Sequence, residues 1–276
     1  MKKKIALGLI LCLMLTLVAA CTEKAPANRL EAIKKAGKIV MATSPDFAPS
    51  EFIDYTKSGQ DQYVGADVTL GYYIAEQMGV KLEIKAMDFS SVLAGVTTGQ
   101  VDMAISGLAW KPERAESMGL SDFYDWESDS LGHGIIMSAA DAVVCKEPAD
   151  FSGKTLAVQA GSLQQSLAAE QLPDDVNYQL ISNLAEAFMM LKTGKIDGLV
   201  SAATSGEMLI KDAKDEYSFT SFYFDYESEG TVIGVPKGED ALLAEINKIL
   251  AKAKAEGLYG PWYQEAKALA ESLGVE

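Results

Sequence analysis

The sequence predicts an α/β protein made of two lobes of similar construction. Segments with the pattern of strands alternate with segments with the pattern of helices, which is typical of sheets with largely parallel strands. A short pattern at 98–106 recurs at 193–201, with a matching apolar helix before each copy. The chain has 276 residues, of which 49% are hydrophobic. This is enough for two cores of ordinary size, and too apolar for a disordered chain.

The first 20 residues have the pattern of an export signal. Three lysines precede an apolar run at 5–20, which at about 16 residues is shorter than the roughly 20 needed to span a bilayer as a helix. The run ends in Leu-Val-Ala-Ala before Cys21, which resembles a bacterial lipoprotein processing site. We therefore expect 1–20 to be a signal peptide. The segment 21–36 is then expected to consist of Cys21, which carries lipid, and a linker to the folded part of the chain. The alternative is an ordinary cleaved signal beside a cysteine that is there by chance.

Composition excludes several classes of protein. The formal net charge of −15 becomes −15 − 3 = −18 when the signal's three lysines are removed, and such an acidic chain repels the phosphates of nucleic acids. His133 is the only histidine, which excludes His-based triads and multi-histidine metal sites. Cys145 has no partner in CxxC spacing, and the acids at 122–129 lack the glycine and spacing of a calcium loop. The sequence therefore indicates neither a metal nor a cofactor.

The first lobe begins with a strand at 38–43, which is short, apolar and rich in branched residues. A turn-rich segment with two prolines follows it. Apolar residues at helical spacing then predict a helix over 68–78, which Gly79 ends. A strand at 81–86 and a helix at 90–98 continue the alternation.

The internal repeat places the same helix end and strand start in both lobes. In each copy an apolar helix ends at a glycine, Gly99 or Gly194, because glycine readily adopts the left-handed conformation found there. A buried strand is predicted to begin three residues after each glycine. The second lobe also has a strand-to-helix segment at 155–162, followed by a helix at 163–171.

The chain ends in two helices. Apolar residues form one stripe over 242–255, and Gly257 ends that helix. A Gly-Pro pair at 260–261 is predicted to break the chain before a last helix that carries Trp262 and Tyr263. These two aromatic residues are expected to anchor the core rather than contact a ligand.

A family resemblance is carried by 106–116, Ser-Gly-Leu-Ala-Trp-Lys-Pro-Glu-Arg-Ala-Glu, and by Leu-Ser-Asp-Phe-Tyr at 120–124. Shorter matches run in order along almost the whole chain after the signal, among them 47–49, 65–67 and 235–238. Together these segments resemble the polar amino-acid solute-binding proteins of ABC importers. The resemblance implies a two-lobed clamshell of the periplasmic-binding-protein type with two hinge strands.

The resemblance also implies how the chain divides. It places the hinges near 124–128 and 227–231. Lobe 1 then comprises 37–126 and 230–276, and lobe 2 comprises 127–229.

The implied function is that of an exported receptor, anchored by lipid to the outer face of the bacterial cytoplasmic membrane. It would close as a monomer around a small carboxylate-bearing ligand, an amino acid or a related compound, and deliver it to a membrane permease. One alternative is an enzyme on the same fold, such as a dehydratase, for which His133 is the only acid–base candidate near neutral pH. Another is a lipid-anchored sensor that presents its ligand to a different receptor.

Candidate ligand-binding residues follow the predicted strands, because ligands of open α/β sheets lie beyond the carboxyl ends of strands. In the family, the residue matching Arg114 holds the ligand's carboxylate through paired charge-assisted hydrogen bonds. The alternative is a surface arginine paired with Glu113 or Glu116. Further candidates are the backbone groups of Gly107 and Ala109, the side chain of Gln159, and Ser162 as the cap of a helix that favours anions.

Aromatic walls are implied on both sides of the ligand. Phe47 and Phe89 match family positions whose rings enclose it, and Trp110 stands where the family has a small aliphatic residue. Flat apolar walls exclude water and strengthen the charged contacts between them. The alternative for each ring is packing in the core.

The chain departs from the family in the second lobe. There, Ala202 replaces an aspartate that binds the ligand's α-ammonium group, and in the first lobe Ser44 stands where an acid is common. An unpaired ammonium in a closed cleft would cost several kcal/mol. Either another carboxylate binds this group, or the ligand has no α-amine at that place. The candidates here are Ser201 beside Ala202, and the acids Asp46, Glu127, Glu227 and Glu229.

The acids near the hinges allow two interpretations. If Glu127, Glu227 and Glu229 face the cleft, a cationic or amine-bearing ligand is favoured. The alternative is that they form a solvated surface.

Overall fold

The computed structural model describes residues 26–125, 132–226 and 230–274. In these ranges the strands form two five-stranded sheets and one two-stranded sheet. The strands are β1 (Lys38–Thr43), β2 (Phe52–Ile53), β3 (Tyr63–Val64), β4 (Lys81–Ala86), β5 (Met103–Ala104), β6 (Met118–Leu120), β7 (His133–Ser138), β8 (Thr155–Gln159), β9 (Asn177–Ile181), β10 (Gly198–Ala202), β11 (Tyr217–Tyr223) and β12 (Gly234–Pro236).

Helices cover the faces of these sheets. They are α1 (Arg29–Ala36), α2 (Ala66–Met78), α3 (Phe89–Thr97), α4 (Pro112–Ser117), α5 (Ala139–Ala142), α6 (Leu163–Gln171), α7 (Leu184–Lys192), α8 (Ala203–Leu209), α9 (Asp240–Ala255) and α10 (Tyr259–Leu273), with 3-10 turns at Gly59–Gln62, Pro148–Phe151 and Lys211–Ala213. Within the described ranges, none of the helices combines the length and the apolar character needed to cross a bilayer.

Each lobe is built on one of the five-stranded sheets. The first sheet has the order β4-β1-β5-β12-β6 and the second has the order β11-β7-β10-β8-β9. The pairs β1–β4, β1–β5, β8–β9 and β8–β10 are parallel, as the alternation of strands and helices predicts. The other four pairs in the two sheets are antiparallel, so the prediction of largely parallel pairing holds for half of each sheet. The reason is that β7 and β12 enter their sheets from the opposite lobe rather than through a helical crossover.

The chain passes between the lobes twice, and the two passages touch. Asp125 and Thr231 form an isolated antiparallel bridge, in which the Thr231 N–H donates to the Asp125 carbonyl at 2.8 Å. This two-lobed α/β fold with paired connections confirms the predicted fold class. Residues 126–128 and 227–229 of the predicted hinges, and with them Glu127, Glu227 and Glu229, lie outside the described residues, as do the signal and Cys21.

Local signals in the sequence set most helix ends. Gly99 and Gly194 follow α3 and α7 with φ of 71° and 66°, as the repeat predicts. The strands that follow begin four residues after each glycine, at Met103 and Gly198, rather than three. The predicted last helix also begins earlier, at Tyr259. Its Gly-Pro pair therefore lies inside the first turn, where the missing N–H of proline has no helical acceptor to lose.

The C-terminal helices belong to the core of the first lobe. The Trp262 ring lies 5.4 Å from the ring of Tyr73 and packs against the main cluster of the first lobe, so its predicted role as a core anchor is confirmed. On its other side, Ala266 and Ala270 of α10 belong to a buried apolar cluster that also contains Phe52 of the first lobe and Met208 of the second. This apolar contact lies outside the cleft and helps to hold the two lobes together.

Candidate ligand-binding site

A cleft lies between the lobes, at the carboxyl ends of β1, β5 and β8. Both lobes and both connections contribute to its wall. The lining residues are Ser44, Asp46, Phe47, Ser50, Glu51, Phe89, Ser106, Gly107, Ala109, Arg114, Tyr124, Asp125, Gln159, Ser162, Leu163, Gln164, Thr231 and Tyr259. Eight of the predicted ligand-binding residues are brought together here, although they come from distant parts of the chain.

Arg114 lies where the two lobes meet. Pro112 starts the short helix α4, because its fixed φ suits a first helical turn, and Arg114 follows on the same turn with only 6% of its surface exposed. Its Nη1 donates to the carbonyl of Ala109, and its Nη2 donates to the carbonyl of Gly161 across the cleft at 2.9 Å. Arg114 is therefore buried between the lobes, which rules out the alternative of a surface arginine.

Arg114 stays positively charged although it is buried. Desolvation lowers the pKa of the guanidinium to about 10, so the group is cationic at neutral pH. Its central carbon lies 5.5 Å from the centroid of the Phe89 ring, within the range of a cation–π contact. Two of its five N–H donors reach carbonyl oxygens, and the other three, which make no hydrogen bond to another described residue, can meet an anion.

The backbone at 107–109 is fitted closely to the ring of Phe47. Gly107 has a φ of 49°, and a Cβ there would lie 3.1 Å from that ring, so the position favours glycine. The Gly107 N–H donates to the Asp67 carboxylate at 2.8 Å. This N–H is therefore engaged inside lobe 1, and so is the carbonyl of Ala109 with Arg114, whereas the resemblance implies that both residues offer backbone groups to a ligand.

Asp46 joins the first lobe to the second. Ser44 Oγ donates to its Oδ1 at 2.8 Å. From the second lobe, Gln159 Nε2 donates to its Oδ2 at 3.2 Å, and the N–H of Leu184, at the start of α7, donates to Oδ2 at 3.0 Å. Burial raises the pKa of Asp46, and these hydrogen bonds oppose the rise. The structure is thus a closed form of the clamshell, with Asp46 and Arg114 each bonded across the cleft.

Ser162 has the capping role that the sequence predicts. Its Oγ accepts a hydrogen bond from the Gln165 N–H at 3.1 Å, which satisfies one of the free donors in the first turn of α6. Ser162 itself lines the cleft. The N-terminus of α6 therefore faces the same space as Arg114.

Two predicted site residues lie elsewhere. Trp110 lines a separate surface pocket with Phe123 and Leu250, because neighbouring residues of an extended segment point to opposite sides and Ala109 faces the cleft. Ser201 is buried on β10, and its Oγ donates to the carbonyl of Ala202 at 3.1 Å. Neither side chain is among the residues that line the cleft, so the structure does not bring these two together with the other eight.

Apolar and uncharged groups surround Ala202, the position at which the family has an aspartate that binds the ligand's ammonium group. Ala202 pairs with His133 across β10 and β7, and the ring of His133 is 2% exposed. His133 Nδ1 lies 3.2 Å from Nε2 of Gln164, and the ring meets that of Tyr226 edge to face at 5.5 Å. Desolvation lowers the pKa of His133 to about 4. The imidazole is therefore uncharged near neutral pH and cannot serve there as the acid of an acid–base pair.

Sequence reasoning missed an acidic cluster beneath the cleft. The carboxylate of Asp67 accepts hydrogen bonds from the hydroxyls of Tyr124 at 2.9 Å and Tyr259 at 2.7 Å, besides the one from Gly107. Glu51 lines the cleft beside it, and its Oε1 accepts from Ser106 Oγ at 2.9 Å. Glu51 belongs to the turn-rich segment after β1, so its position could have been noticed. Tyr259 comes from the last helix, and no local signal connects it with this site.

The chain matches the sequence model of one known protein family and several curated proteins. Residues 39–265 match the model of the bacterial extracellular solute-binding proteins, family 3. The chain is 28% identical over 258 residues to the arginine-binding extracellular protein ArtP of Bacillus subtilis, covering 93% of this chain and 94% of ArtP. It is 27% identical over 279 residues to the glutamine-binding protein GlnH of the same organism, covering 96% and 97%.

Solved structures agree with these relatives. The amino-acid ABC transporter substrate-binding protein AbpA of Streptococcus pneumoniae, solved with L-arginine bound, superposes with a TM-score of 0.78 at 27% identity, over 89% of this chain and 99% of AbpA. These relatives are binding components of transporters, which decides against the dehydratase-like alternative. The family model spans most of the chain, and the protein therefore belongs to the bacterial extracellular solute-binding proteins, family 3.

Proposed function

We propose that the protein captures an amino acid outside the cell by clamping the ligand's carboxylate with Arg114, and delivers it to an ABC permease. The observation that carries this proposal is the position of Arg114, buried between the lobes and bonded to both of them. A carboxylate there would meet up to three remaining N–H donors of the guanidinium. It would also face the N-terminus of α6, whose first-turn amides favour an anion.

Closure follows from the same geometry. Contacts from both lobes to one ligand exist together only in the closed form, so the ligand shifts the population toward that form. The rings of Phe47 and Phe89 line the cleft on the first-lobe side and would keep water from the charged contacts. The lobe-to-lobe bonds of Asp46 and Arg114 would stabilise the closed form further.

Stabilisation by ligand in a thermal-shift screen tests the proposal. The mature domain is heated with single amino acids, amines and carboxylic acids, including arginine and glutamine, the ligands named for two relatives. At a ligand concentration of about 100 times Kd, binding adds about 2.7 kcal/mol of stability. For a chain of this size that corresponds to a rise in Tm of roughly 5–10 °C.

The expected hits are compounds with a carboxylate. Agmatine, which is arginine without its carboxylate, serves as the matched negative control. A shift with agmatine as large as that with arginine would contradict the role of Arg114.

We further propose that Cys21 is lipidated and holds the mature protein at the outer face of the cytoplasmic membrane. The support is the sequence pattern of lysines, apolar run and small residues before the cysteine. Replacing Cys21 with serine is expected to move the protein from the membrane fraction to the medium, because the serine side chain has no thiol to which the lipid can be joined. Fractionation of producing cells with an immunoblot checks this, and a C21S protein that stays in the membrane fraction contradicts it.

A further inference from the structure

The turn-rich segment 45–52 of the first lobe, called the clasp below, makes several contacts with the second lobe. The ring of Phe47 packs against the second-lobe cluster that contains Leu184, and Phe52 shares a buried cluster with Met208. Phe52, Leu184 and Met208 also line one small cavity to which both lobes contribute. The clasp therefore forms a seam between the lobes that lies beside the ligand cleft and consists of protein groups alone.

Asp46 supplies the polar contacts of the clasp. In the second lobe, Asn183 caps α7 by accepting the Glu186 N–H at 3.0 Å, whereas the N–H of Leu184, in the first turn, has no acceptor within its own helix. The Leu184 N–H donates to Oδ2 of Asp46 at 3.0 Å. A carboxylate at this end of a helix is also favoured by the helix dipole. Asp46 thus acts as a second cap of α7, supplied by the other lobe.

Protein groups occupy most of the acceptor positions of Asp46. Oδ1 accepts from Ser44 Oγ at 2.8 Å, and Oδ2 accepts from Gln159 Nε2 at 3.2 Å as well as from Leu184. A carboxylate has about four such positions in all. An ammonium group of a ligand would therefore reach Asp46 at the expense of bonds that hold the lobes together.

We propose that the clasp closes the protein independently of ligand, and that Asp46 sets the fraction of closed molecules rather than the choice of ligand. We expect the closed form to exceed about 10% of the ligand-free protein, above the range usual for a minor conformer. The inference goes beyond the proposed function, because it requires no particular ligand.

The two roles of Asp46 differ in their consequence for affinity. The apparent affinity of every ligand scales with the fraction of protein in the binding-competent form. A weaker clasp therefore lowers the affinities of all ligands by one common factor. Loss of a direct contact would instead lower the affinity only of ligands that carry the contacted group.

Distance measurements on the ligand-free mature domain test the proposal. Spin labels are attached at Glu76→Cys in the first lobe and Lys195→Cys in the second, which are exposed positions outside the cleft; the native Cys145 is buried. Bound amino acids are removed by unfolding in guanidinium chloride and refolding. Pulsed electron paramagnetic resonance then gives the fraction of molecules at the distance expected for the closed structure.

Variants in the clasp should shift this distribution. Asp46→Ala removes the bonds to Gln159 and Leu184, so we expect the ratio of closed to open molecules to fall about tenfold. Met208→Ala removes apolar surface from the seam and should lower the ratio about threefold or more. Asp54→Ala is the matched control, because this buried acid bonds only to Thr56 and Lys57 within the first lobe, and it should leave the ratio unchanged. Circular dichroism confirms that each variant is folded.

Titration with arginine and with glutamine separates closure from ligand contact. D46A should weaken the binding of both amino acids by the factor by which the closed fraction drops, within about twofold. If neither amino acid binds, the proposed function is in doubt, while the distance measurements still decide whether the clasp operates.

Three results would overturn the inference. One is a closed fraction below about 10% in the ligand-free wild-type protein. The second is a D46A protein with the same closed fraction as wild type and D54A. The third is a loss of affinity in D46A that is much larger for one amino acid than for the other, which would assign Asp46 to the ligand.

Discussion

Replacing Arg114 with alanine is expected to abolish tight ligand binding. The variant removes the only described cation lining the cleft and leaves the ligand's carboxylate without its charged partner. Truncating one member of a buried, hydrogen-bonded charge pair costs about 2–5 kcal/mol, which corresponds to roughly 30-fold to several thousand-fold in Kd. Calorimetric titration of the purified domain with the best hit from the thermal-shift screen measures the effect.

Arg29→Ala is the matched control for this variant. Arg29 also donates to two backbone carbonyls, those of Gly99 at 3.0 Å and Val101 at 2.9 Å, but it lies outside the cleft. Both variants leave two carbonyls without a donor. R29A also removes the ion pairs of Arg29 with Asp102 at 2.9 Å and Glu239 at 3.5 Å, so it should destabilise the fold at least as much as R114A, yet only R114A should lose the ligand. An R114A protein with wild-type Kd, folded by circular dichroism, would show that the carboxylate binds elsewhere.

The sequence predicts the elements well because their signals are local. The strand at 38–43, the strand at 81–86 and the helix at 163–171 occur as predicted, since each depends on the pattern of its own side chains and on the residues at its ends. The same holds for the helix ends at Gly99 and Gly194. The family motif around Arg114 predicts a ligand-binding arginine in this segment, which the periodicity of the sequence cannot show.

The site depends on contacts that no local signal encodes. The cluster of Glu51 and Asp67 is completed by Tyr259, whose hydroxyl reaches Asp67 from 192 residues further along the chain. Trp110 was assigned to the cleft from its place in a motif, although side-chain direction alternates along an extended segment. Asp46 was considered a partner for the ligand, and its bonds to Gln159 and Leu184 make it a contact between lobes. Each of these outcomes required the three-dimensional arrangement of segments distant in sequence.

His133 is expected to make the fold sensitive to mild acid. Burial lowers the pKa of its ring from 6.5 to about 4, so between these values the unfolded chain binds a proton that the folded protein does not. Stability is then fully present above pH 6.5 and falls as the pH decreases toward 4. Replacing His133 with glutamine, which is neutral throughout, should remove this loss, which amounts to about 3 kcal/mol over the whole range. Urea unfolding of both proteins from pH 7 to 4 measures it.

The comparison must be made as a difference between the two proteins. Buried carboxyl groups such as Glu51 have raised pKa values, so in the folded state they bind protons that the unfolded chain has released, and they oppose the effect of His133 as the pH falls. Because these groups are present in both proteins, their contribution cancels in the difference. The free-energy gap between H133Q and wild type should therefore widen in favour of H133Q below pH 6.5. Parallel curves over this range would mean that the ring takes up its proton inside the folded protein.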